Sequence, residues 1–143
     1  MLDACGPIEI WGLLKDEVRI VTVAAEKGEI ATSALVKLVA DRSLSDCPPL
    51  GLLDGRPATT NKAFWKMATA PGPKVKWVRQ ARWVDDGNIV TSSGLSAGMD
   101  MTLHVVERLF GTPRAERIAD AIEYEWHRDA SWDPFAARAG RGR

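Results

Sequence analysis

Cys47-Pro48-Pro49-Leu50-Gly51-Leu52-Leu53-Asp54-Gly55 is the stretch on which the fold turns. Up to Leu50 it reads as the end of one strand unit, entered through a turn of helix over Ser43 to Asp46 and closed off by two prolines. From Gly51 it reads as the start of another unit, with Asp54-Gly55 as a turn and Arg56-Pro57-Ala58-Thr59-Thr60 as a short strand. The two units run together at Leu50-Gly51 with nothing between them.

Working upstream, Glu29 to Ser33 and Val36 to Ala40 form two weaker strands, paired as an edge hairpin. Val18-Arg19-Ile20-Val21-Thr22-Val23-Ala24-Ala25 is β-branched and almost continuously apolar, which predicts a buried parallel strand. Pro7 is placed to open a short helix over residues 8–14. Downstream, residues 62–68 suit a helix, and Lys74 to Val78 alternates like a half-exposed strand. Arg82-Trp83-Val84 and Ile89-Val90-Thr91 flank Asp85-Asp86-Gly87-Asn88, the strongest hairpin signal in the chain. Ser96 reads as the cap of a helix running to Phe110, in which Met99, Leu103, Val106 and Phe110 recur at helical spacing and Gly111 supplies the stop. Thr112-Pro113 starts a second helix, with Ile118, Ala119 and Ile122 inward. Strand and helix patterns alternate, so the fold class is α/β, with a mostly parallel sheet and an antiparallel addition.

Composition narrows the function. The chain has 143 residues, enough for one domain with a sizeable core. Its 19 basic residues are balanced by 19 acidic ones, so no net field draws in nucleic acid or an anionic membrane. No apolar run reaches transmembrane length. The N-terminus lacks the basic start and apolar core of a signal peptide, and a cytoplasmic protein is expected. Two cysteines then read as free thiols, and no Cys/His spacing suits zinc; no cofactor or metal is expected. Six tryptophans fit core and interface packing, with an aromatic ligand pocket as the other reading.

Leu2 to Glu9, Ser43 to Leu50, Gly51 to Thr60 and Thr91 to Asp100, taken in that order, are similar to segments of the DJ-1/PfpI (ThiJ) superfamily, nearest to its isocyanide-hydratase-like and fungal branch. Leu2-Asp3-Ala4-Cys5-Gly6-Pro7-Ile8-Glu9 resembles the turn after that family's first strand. Residues 43–50 resemble the approach to its next core strand. Gly51-Leu52-Leu53-Asp54-Gly55-Arg56-Pro57-Ala58-Thr59-Thr60 resembles the segment that follows its nucleophile helix. Thr91-Ser92-Ser93-Gly94-Leu95-Ser96-Ala97-Gly98-Met99-Asp100 resembles the loop and helix that close its pocket. The resemblance implies a flavodoxin-like, three-layer sheet of the class I glutamine amidotransferase type. It covers residues 1–135 as a partial domain with an internal deletion near 50/51, and leaves 136–143 as a disordered basic tail. It also implies a homodimer.

The departure from the family falls at the seam. On the order of two β-α units, roughly 60 residues, would stand there. They would carry the reactive cysteine at a strand-to-helix elbow, where a helix N-terminus favours thiolate, together with the oxyanion turn. Asp3 matches the family's carboxylate acid; a cap for the first helix is its other reading. Asn61, Gly94, Leu95 and Ser96 fall on pocket positions, although Asn61 also suits a turn and Ser96 a helix cap. No nucleophile aligns. Cys5 stands two residues from Asp3 without an elbow, so a small packed thiol remains beside the nucleophile reading. Cys47 precedes two prolines. His104 suits a helix surface, and His127 a helix end. Two functions follow. One is a catalytically impaired remnant that keeps the outer elements and binds a small molecule. The alternative is an active hydratase or lyase, isocyanide-hydratase- or glyoxalase-like, that uses a cysteine and Asp3 on a small electrophile.

Overall fold

The computed structural model describes residues 2–32, 36–46 and 51–137 of the chain. Cys47 to Leu50, the upstream half of the seam, lies outside the described residues. The downstream half, Gly51 to Gly55, is a turn, with Gly51 and Gly55 at φ +98° and +73°. Only glycine adopts those angles without strain.

The core is helical. Helix α1 spans Leu2–Gly12, α3 Leu95–Phe110 and α4 Thr112–Ala121; the short α2 spans Trp65–Thr69. Ile10 of α1 and Leu14 just beyond it meet Leu103 and Val106 of α3 and Ala115, Ile118 and Ala119 of α4. Of the inward stripe read from the sequence of α3, Leu103 and Val106 belong to this core, and Met99 and Phe110 pack at its margin. Gly111, at φ +84°, ends α3 by returning its N–H to the Glu107 carbonyl at 2.8 Å, and it is also the N-cap of α4.

Two helix starts differ from the sequence expectation. α1 begins at Leu2 and holds Pro7 in its interior, rather than starting there. The Asp3 segment, expected as a turn, is therefore helical. The N-cap of α3 is Gly94, in extended conformation and without a side-chain cap. Ser96 lies inside the first turn, which frees its hydroxyl for a neighbour.

The strands form four separate pairs among the described residues. β1 (Val23–Ala24) runs parallel to β4 (Arg42–Ser43), and β2 (Gly28–Ala31) antiparallel to β3 (Lys37–Ala40). β5 (Pro57–Ala58) runs parallel to β6 (Lys76–Trp77), and β7 (Trp83–Asp85) antiparallel to β8 (Val90–Ser92). The two expected hairpins are both present in register. β5 lies against β7 and β8, and Thr59 N donates to Thr91 Oγ1 at 3.0 Å. The fold is a truncated α/β fold, with its strands in pairs where a continuous sheet was expected.

The expected buried strand over Val18 to Ala25 is the main correction. Only Val23–Ala24 is strand, and Ile20, Val21 and Val23 are exposed. A continuously apolar strand is buried only with neighbours on both sides and a layer on each face. Here β1 has one neighbour, two residues long.

Candidate functional site

The four pocket positions read from the sequence, Asn61, Gly94, Leu95 and Ser96, line one cleft. Its volume is about 420 Å³, and Lys62, Ala63, Ser93 and Phe135 complete the wall. Asn61 follows β5 and makes a tight local turn, its Oδ1 accepting the Ala63 N–H at 2.9 Å. A methyl group added at Gly94 would sit 3.9 Å from Asn61 Nδ2, so the amide faces the start of α3 across the cleft. Among the described residues no cysteine lines this cleft. Asp3 lies in α1, and its side chain is outside what is described. Cys5, also in α1, is a free and exposed thiol. His104 is half-buried against Asp85, and the His127 ring stacks on Trp132 at 4.5 Å.

Two buried ion pairs, unforeseen in the sequence, hold the cleft walls. The first joins Lys62 to Asp133 at 3.1 Å, each side chain 1% exposed. Lys62 Nζ also lies within hydrogen-bond reach of Thr59 Oγ1 (2.8 Å), the Thr60 carbonyl (2.9 Å), the Ala81 carbonyl (3.0 Å) and Ser93 Oγ (3.1 Å). Ser93 donates in turn to Asp133 Oδ2 at 2.9 Å. Burial pushes the Lys62 ammonium below its ordinary pKa, while Asp133 works against that shift. An ammonium has three donors, and here all are occupied by oxygens. Lys62 is therefore a fastener for the loops around residues 60, 81, 93 and 133.

The second pair joins Arg82 to the fully buried Asp100 of α3, with Arg82 Nε donating at 2.6 Å. Asp100 Oδ1 accepts from Tyr124 Oη at 3.0 Å and from the His127 backbone N–H at 2.9 Å. Burial, followed by the Asp100 charge, pushes the Tyr124 phenol up to about 12, so it stays a hydrogen-bond donor. Arg82 also donates to Ser96 Oγ at 3.2 Å, which is what the displaced Ser96 hydroxyl does. A second hollow of about 390 Å³, bounded by Arg82, Tyr124, His127 and Trp132, adjoins the cleft through Ser96 and Phe135.

The segment after Tyr124 straps these hollows. Arg82 N donates to the Ala130 carbonyl at 2.7 Å, and Gln80 Nε2 to the Ser131 and Asp133 carbonyls at 3.0 and 3.2 Å. Ala136, where the sequence suggested a loose tail, is buried, and Arg79 Nε donates to its carbonyl at 3.4 Å. One sequence signal for these ties exists. Asp100 sits three residues before Leu103 on the inward arc of α3, a place for a carboxylate only if a cation meets it.

No family model matches the chain. Over 75 residues it is 36% identical to the isonitrile hydratase of Pseudomonas putida, a match that spans 52% of this chain and 31% of that relative. Among solved structures, a ThiJ/PfpI family protein from Pseudomonas syringae superposes with a TM-score of 0.68 at 20% identity, over 88% of this chain and 71% of that one. A DJ-1 superfamily protein from Salmonella typhimurium, solved as a cysteine-to-alanine mutant, gives 0.63 at 21% over 87% and 92%. Drosophila melanogaster DJ-1beta gives 0.59 at 17% over 87% and 93%. The chain has the flavodoxin-like α/β fold of these proteins, and it spans less than a third of the length of the isonitrile hydratase that it matches.

Proposed function

We propose that this protein is a non-catalytic member of the DJ-1/PfpI group that binds a small molecule in the Asn61–Ser96 cleft. The observation that carries the reading is a cleft whose walls are fastened by two buried ion pairs while no thiol stands among its described lining residues. Thiol-dependent chemistry needs a thiolate at a helix start with an acid in reach. Lys62 does not substitute, because its ammonium is surrounded by its own oxygen partners, and Arg82 is held by Asp100 and Ser96. Asn61 Nδ2 and the uncapped start of α3 offer hydrogen bonds to an acceptor on the ligand, and Ala63, Leu95 and Phe135 offer apolar contact. The name of the bacterial relative supplies the ligand class to try first, isonitriles and the N-substituted formamides that their hydration yields. The free Cys5 thiol suits a reducing cytoplasmic setting, and pairing of two copies completes the reading.

The test is an isonitrile hydration assay followed by formamide appearance, with amide chemical-shift mapping in parallel. Turnover stays at the buffer rate, while millimolar isonitrile or formamide shifts the amides of Asn61, Leu95 and Ser96. Turnover that Cys5→Ser abolishes would establish the active hydratase instead, with Cys5 as nucleophile and Asp3 as acid.

A further inference from the structure

Ser96 stands where the two hollows meet. With Phe135 it lines both, the cleft of about 420 Å³ beside Asn61 and the hollow of about 390 Å³ beside Tyr124 and Trp132. Each falls within the ~300–1,000 Å³ of a small-molecule site, and a formamide group alone fills neither.

The Ser96 hydroxyl is fixed from the protein side. Arg82 donates to Ser96 Oγ at 3.2 Å, and its guanidinium is itself held by the fully buried Asp100, to which Arg82 Nε donates at 2.6 Å. Tyr124 Oη donates to the Ser96 carbonyl at 3.2 Å and to Asp100 Oδ1 at 3.0 Å, so the side chain and the backbone of Ser96 are tied to the same carboxylate. Ser96 is exposed, and among the described residues no acceptor takes its hydroxyl proton. A hydroxyl has one donor and two acceptor lone pairs. One lone pair here faces a cation, which polarises the O–H toward donating. The group therefore calls for an acceptor oxygen on the ligand, at the junction of the hollows.

Beyond that junction the second hollow is aromatic, with Tyr124, His127, Trp132 and Phe135 on its wall. Its charges favour a neutral occupant. Arg82 is already paired with Asp100, and Glu125 sets an exposed carboxylate against any anion. Trp132 already carries the Arg82 guanidinium at 5.2 Å and the His127 ring at 4.5 Å, which leaves less of its face for a further cation. An uncharged ring gains apolar and edge contacts there without displacing either. We propose that Ser96 selects the ligand by donating to the carbonyl oxygen of an N-arylalkyl amide, whose amide group lies in the Asn61 cleft and whose ring enters the Tyr124–Trp132 hollow. Arg82 is a positioning residue that acts through Ser96. The proposal rests on the binding reading above and adds to it the atom that is recognised and the place of the substituent.

The experiment titrates N-benzylformamide, N-benzylthioformamide and N-methylformamide into the full chain and into Ser96→Ala, followed by amide chemical shifts. The thioamide keeps the shape and the N–H but replaces oxygen with a weaker acceptor. The parent binds N-benzylformamide about five- to tenfold more tightly than the thioamide, and Ser96→Ala abolishes that preference by weakening the formamide alone. A merely structural role for Ser96 would weaken both together. N-Methylformamide binds at least ~10-fold more weakly than the benzyl compound and leaves the amides of His127 and Trp132 unshifted. A thioamide that binds as tightly as the formamide overturns the proposal, as does a preference that survives Ser96→Ala or a benzyl group that shifts nothing at residues 127 and 132. If Ser96→Ala does not fold, the thioamide comparison and the shifts at 127 and 132 in the parent decide. Binding at Asn61 and Leu95 that disregards Ser96 sinks this proposal and leaves the cleft reading standing. Failure of all three compounds to bind sinks both, and hydration of benzyl isonitrile sinks the non-catalytic reading alone.

Discussion

The Lys62 ammonium shows how this chain spends buried charge. It is held by Asp133 and by neutral oxygens, with both charged side chains 1% exposed. The attraction is opposed by the desolvation of both groups, so the pair fixes geometry more than it stabilises. Removing one partner is another matter, since it strands a buried charge. Asp133→Ala therefore costs about 3–5 kcal/mol. Lys62→Met/Asp133→Leu, with no charge left to solvate, regains most of that; urea midpoints of the two variants measure the contrast. Asp85 makes the opposite case near the surface. Burial alone would raise its pKa, but the His104 hydrogen bond, the Gly87 N–H and the Arg108 charge together hold it below 3.8. A carboxylate with a depressed folded pKa adds stability above its unfolded value and loses it as pH falls through the folded one. Asp85→Asn is accordingly less stable than the parent at pH 7, and the gap in thermal midpoint closes as pH drops below 3.8.

At the scale of elements, α3 carries both the core and the site. Its inward face presents Leu103 and Val106 to α1 and α4, its flank presents Asp100 to Arg82, and its first turn is the cleft wall. Leu103→Ala should lower stability by about 2–5 kcal/mol, because a fully buried side chain leaves a cavity between three helices, and calorimetry or urea titration reads the loss. The same helix shows what the sequence reveals. Met99, Leu103, Val106 and Phe110 repeat at helical spacing, and Gly111 closes the run, so local pattern defines the element. Asp85-Asp86-Gly87-Asn88 likewise defines its hairpin, with Gly87 at φ +80°. Asn61 and Gly94 to Ser96 were read as pocket positions through the resemblance, and the structure sets them along one cleft. The Lys62–Asp133 and Arg82–Asp100 ties were not, since each joins segments far apart in sequence and neither partner's neighbours announce the other. Val18 to Ala25 misled for a related reason. Its apolar run reports what the segment is suited to meet, and the flanking layers it is suited to are not supplied by the rest of the described chain. Pro7 misled because a proline inside a helix is disfavoured by ~3 kcal/mol locally, yet Ile10 and Leu14 gain enough from the core to hold α1 around it.

Over the whole molecule, stability is divided unevenly. Buried aliphatic contact is concentrated in α1, α3 and α4, whereas residues 18–46 hold together through two short strand pairs and the Thr22–Asp41–Val39 bonds. Ala40 is buried there, but its larger neighbours Val23, Val36 and Val39 are not. Local opening needs less free energy where few apolar contacts are broken, so the two regions should not open together. Native-state hydrogen exchange tests this directly. Amides of Leu103 to Val106 should exchange only through global unfolding and track added urea with the full slope. Amides of residues 37–43 should exchange through a smaller opening with little urea dependence. Equal opening free energies in both regions would mean that the exposed strands are integral to the helical core.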